Sequence, residues 1–121
     1  MSVEFSALIF VLGRIKTLAD RTRDERIAAI NGLSPAVGAT IAYTTRCEQG
    51  HARDLDEEKK LHGLWFDASA KVSPYDKDLA MVCKEKSQYW LQYDSYTQEK
   101  VIELGIELEK IATQLEVLKH K

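Results

Sequence analysis

Residues 97–118 read TQEKVIELGIELEKIATQLEVL, and this stretch decides the fold class. Thr97, Val101, Leu104, Leu108, Ile111, Leu115 and Leu118 alternate four and three residues apart. That is the heptad spacing that keeps one stripe of a helix facing a neighbour. Ile102, Ile106, Ala112 and Val117 add apolar surface beside the stripe. A two-stranded coil would leave those four exposed, so a multi-helix bundle accounts for them better. The seam Val101, Leu104, Leu108, Ile111, Leu115 and Leu118 can close an intramolecular bundle or pair two chains. The expected assembly is a homo-oligomer, most simply a two-fold dimer.

Moving towards the N-terminus, the helix punctuation is plain. Ser73-Pro74 pairs a capping serine with a proline pre-set for the first helical position. Asp54-x-x-Glu57 opens a helix carrying Leu55, Leu61, Leu64, Trp65, Ala68 and Val72. Ser34-Pro35 gives another start, and Gly32 before it reads as a left-handed helix stop. Thr22-x-x-Glu25 is a capping box. Ser2 caps a first helix with Phe5, Leu8, Leu12 and Ile15 on one stripe. The expected architecture is an all-α bundle of five or six helices, near 2–20, 24–31, 35–49, 54–72, 74–93 and 96–119. The punctuation leaves open whether the chain stays helical through Gly50 and through Ser95.

The 121 residues fit one domain spanning 1–121, and 45% hydrophobic with 30% charged residues is ordinary globular composition. Net charge is −2, which gives no electrostatic reason to bind nucleic acid or an anionic membrane. Residues 1–53 hold seven basic against five acidic side chains, and residues 54–121 hold ten against fourteen. Such halves attract each other. The apolar run at residues 7–12 is closed by Arg14 and Lys16, too early to span a bilayer. Cys47 and Cys83 form no paired motif and read as small core residues, in keeping with a cytoplasmic location.

Three clusters are candidates for function. On one continuous helix Glu48, His51, Glu58 and His62 share a face, and Glu-x-x-His is a ligand pattern of di-iron bundles. A second copy of the motif is missing, so no metal or other cofactor is expected. These four residues carry the alternative reading, a helical-bundle metalloprotein or nucleotide-handling enzyme. Arg14, Arg21, Arg23 and Arg26 form a basic corner suited to an anion, blunted by Asp20, Asp24 and Glu25. Tyr89, Tyr93 and Tyr96 share a helical face beside Trp90, and aromatics of this kind dominate interface hot spots. No nucleophile elbow, phosphate loop or His-Glu-x-x-His motif occurs, and no catalytic residue is assigned. The expected function is a non-enzymatic helical interaction module, an adaptor, assembly subunit or regulator acting through protein–protein contacts.

Overall fold

The computed structural model describes residues 18–89 and 98–120. A 3-10 turn at Leu18–Asp20 leads into four helices: α1 (Arg23–Glu48), α2 (Leu55–Val72), α3 (Lys77–Tyr89) and α4 (Gln98–Lys119). No strand occurs among the described residues, so the fold class is all-α. None of their helices is long and apolar enough to cross a membrane. The helix expected over 2–20 lies outside the described residues except for its last turn.

The separate helices expected at 24–31 and 35–49 are one helix of 26 residues, about 39 Å long. Pro35 sits inside it because the break is made on the wet side. Proline cannot donate to the carbonyl of Asn31, but Asn31 and Pro35 are both exposed, so the break lies on the solvent side of the helix. Ser34 Oγ meanwhile donates to the carbonyl of Ile30 at 2.8 Å. Gly32 is not a stop either. It is buried, and a Cβ built there would lie 2.8 Å from the Cβ of Lys71. The glycine is spent on a close approach of α1 to α2.

The true stop is Gly50. Its φ of +99° lies in the left-handed region. His51 N donates to the carbonyl of Arg46, and Gly50 N to that of Cys47, each at 3.1 Å. This is the six-to-one, five-to-two pairing of a Schellman motif. Asp54 then caps α2, its carboxylate accepting from the backbone N–H of Asp56 and Glu57 at 3.0 and 3.2 Å. Acids in the first turn and Lys71 in the last complement the helix dipole. The inward residues Glu58, Leu61, Trp65, Ala68 and Val72 follow a three-four spacing. The start expected at Pro74 moves to Lys77, because Asp76 is the residue whose carboxylate accepts from Asp78 N and Leu79 N.

Helix α1 packs against both α2 and α4, and α3 packs on α2. Cross-links give the directions. Trp65 Nε1 donates to Thr40 Oγ1 at 2.9 Å while Tyr43 reaches Glu58, so α1 and α2 run antiparallel. Ser69 Oγ donates to Ala80 O at 2.7 Å, and His62 lies against Ser87, so α2 and α3 do as well. Arg26 Nε donates to the carbonyl of Leu118 at 2.9 Å, tying the start of α1 to the end of α4. A cation there also opposes the negative end of the α4 dipole.

Of the seam residues, Val101, Leu108, Ile111, Leu115 and Leu118 are buried in the chain's own core, while the side chain of Leu104 lies outside the described set. These five side chains therefore pack within the chain's own bundle. Ile106 and Val117 stand exposed on the outer side. The close approach of α4 to α1 is at Gly105, where an added Cβ would overlap Thr44 Oγ1 and lie 2.5 Å from Thr44 Cβ. Gly105→Ala is therefore expected to lose about 1–3 kcal/mol by overpacking. Gly63→Ala, with nothing within 4 Å, is expected to gain about 0.5–1 kcal/mol of helix propensity. Urea midpoints of the two variants decide it: a rise in both would show that the helices are not held that close.

Candidate functional site

The face expected to unite Glu48, His51, Glu58 and His62 needed a helix continuous through Gly50, and α1 ends at Glu48 instead. Glu48 and His51 are exposed around the turn, Glu58 points into the core, and His62 lies against α3. The four are not brought together. Among the described residues, no three or more His, Cys, Asp or Glu side chains are placed to hold a metal ion.

What the turn builds is a different cluster, around the fully buried Glu58. Arg53 embraces its carboxylate with two bonds, Nε to Oε2 at 2.9 Å and Nη2 to Oε1 at 2.7 Å. Tyr43 on α1 donates its hydroxyl to Glu58 Oε2 and accepts the backbone N–H of Asp54 at 3.0 Å. The two-pronged guanidinium and the phenol make three hydrogen bonds to this carboxylate, which is itself fully buried. Burial, reinforced by the bond to Glu58, pushes the Tyr43 hydroxyl above its ordinary pKa. The bond to Glu58 likewise holds Arg53 cationic. The cluster fastens the turn between α1 and α2.

Beside it opens a cavity of about 120 Å³ lined by Tyr43, Arg46, Cys47, His51, Ala52 and Asp54. Arg46 stands 6.0 Å from the centroid of the Tyr43 ring and 3.5 Å from Glu57. Burial raises the pKa of the Cys47 thiol, so it is protonated at neutral pH and poorly nucleophilic. The cavity combines a cation, an imidazole and a carboxylate around a closed phenol. It is small and shares Tyr43 and Asp54 with the bonded cluster.

Sequence reasoning named Glu58 only in the alternative metal set and did not single out Tyr43 and Arg53 as its partners. Arg53 lies five residues before Glu58, a spacing that matches neither helical neighbour rule. Only the reversal at Gly50 brings it round, so the glycine was the available signal.

A second polar contact joins α2 and α3. His62 Nδ1 lies 2.7 Å from Ser87 Oγ and 2.8 Å from Ser87 O. It resembles a nucleophile with its base only in composition, because Ser87 is fully buried and no substrate reaches its hydroxyl. Cys83, one turn earlier on α3, is also fully buried, and burial pushes its thiol pKa up to about 12 from an ordinary 9. The folded state therefore holds a proton that the unfolded chain releases above pH 9. The associated stability is complete below that pH and is lost as the pH rises towards 12, by up to about 1.4 kcal/mol per pH unit. Urea unfolding at pH 7.5 and 10.5 should show a larger alkaline loss for the parent chain than for Cys83→Ala. Equal losses would show that the thiol reaches solvent.

The basic corner is partly dismantled. Arg26 is buried and committed to Leu118 and to the carbonyl of Arg21, so it is not available to an anion. Arg21 is exposed and lies 3.8 Å from Glu25, and Arg23 is exposed. Arg14 lies outside the described residues, as do Tyr93, Tyr96 and the side chain of Tyr89, whose backbone ends α3. No family model matches the chain, and neither the curated proteins nor the solved structures contain a match.

Proposed function

We propose that this chain is a non-enzymatic helical interaction module, an adaptor, assembly subunit or regulator that acts through protein–protein contacts. One observation carries the reading. The polar groups at the core of the candidate site are bonded to one another, Glu58 to Arg53 and Tyr43, Ser87 to His62, while Phe66, Met81 and Val117 are each more than half exposed. Polar chemistry is spent on the fold, and apolar area is offered at the surface.

Two faces compete for the partner. The commitment of Arg26 to the end of α4 weakens the basic corner, which supports the aromatic band of Tyr89, Tyr93 and Tyr96 as the contact. The faces differ in salt response. A contact made by arginines weakens steeply past about 0.15 M salt, where the Debye length is about 8 Å. An aromatic contact changes little, and truncating its anchor costs about 2 kcal/mol or more. Pull-downs from the native host with Tyr93→Ala and Arg23→Ala separate them. Loss of the captured partner with Tyr93→Ala alone is expected. Loss with Arg23→Ala alone would move the contact to the basic corner.

A further inference from the structure

We draw no further inference here: the strongest candidate, the exposed patch on the outer side of α4 where Ile106 and Val117 lie three turns apart with Lys110 and Thr113 between them, carries nothing because nothing in the structure shows what covers it.

Discussion

Arg53→Ala is expected to remove about 3–5 kcal/mol of stability, a large share of the roughly 5–15 kcal/mol that holds a domain of this size folded. The reason lies in what is left behind. Glu58 is fully buried, so without the guanidinium its carboxylate keeps only the Tyr43 hydroxyl and must either stay charged in the core or take up a proton. The side chain of Arg53 is 16% exposed, so little of the effect is screened by water. Arg46→Ala provides the contrast. Its pair with Glu57 is 3.5 Å long, and the two side chains are 53% and 28% exposed, which puts the expected loss below about 1 kcal/mol. Adding Glu58→Met to Arg53→Ala should recover part of the loss, because the uncompensated charge disappears with the carboxylate. Chemical denaturation followed by circular dichroism measures all three variants. Equal costs for Arg53→Ala and Arg46→Ala would mean that Glu58 is solvated and that the turn is not fastened as described.

That cluster also marks how far the sequence could be read. Helical class and the caps at Thr22 and Asp54 were legible, because capping is local chemistry between residues two or three apart. The error at Gly32 and Pro35 arose because the same residues have two uses. Glycine ends helices, yet it also lets backbones approach, and proline starts helices, yet it survives inside one where the orphaned carbonyl is wet. Which use applies depends on the neighbour Lys71 and on the exposure of Asn31, both properties of the packed molecule. The grouping of the four alternative metal ligands depends on the same kind of choice. Glu48, His51, Glu58 and His62 share a face only if Gly50 is passed in helical geometry, and its positive φ moves the two halves of the set apart. The basic corner was read from charge alone. Charge does not reveal that Arg26 is bonded to Leu118, 92 residues away along the chain.

The C-terminal helix provides the second large effect. Leu108→Asp is expected to unfold the chain. Leu108 is fully buried among core residues. Removing its side chain alone costs about 2–5 kcal/mol, and desolvating an unpaired carboxylate adds several more. Together these match the whole stability of a small domain. Ile111→Asp, at 1% exposure, should behave in the same way. Val117→Asp differs, because at 59% exposure the new carboxylate stays hydrated and stability should move by no more than about 0.5 kcal/mol. Circular dichroism and light scattering on the same samples separate the two ways in which the heptad stripe can be used. If the stripe closes the chain's own bundle, Leu108→Asp loses its helical signal at every protein concentration. If it joins two chains, the same variant keeps its helicity and falls to half the mass of the parent. A folded Leu108→Asp monomer would thus overturn the packing of α4 on α1. A dimeric parent that Val117→Asp splits, with helicity intact, would instead place self-association on the outer face of α4, where Ile106 and Val117 stand.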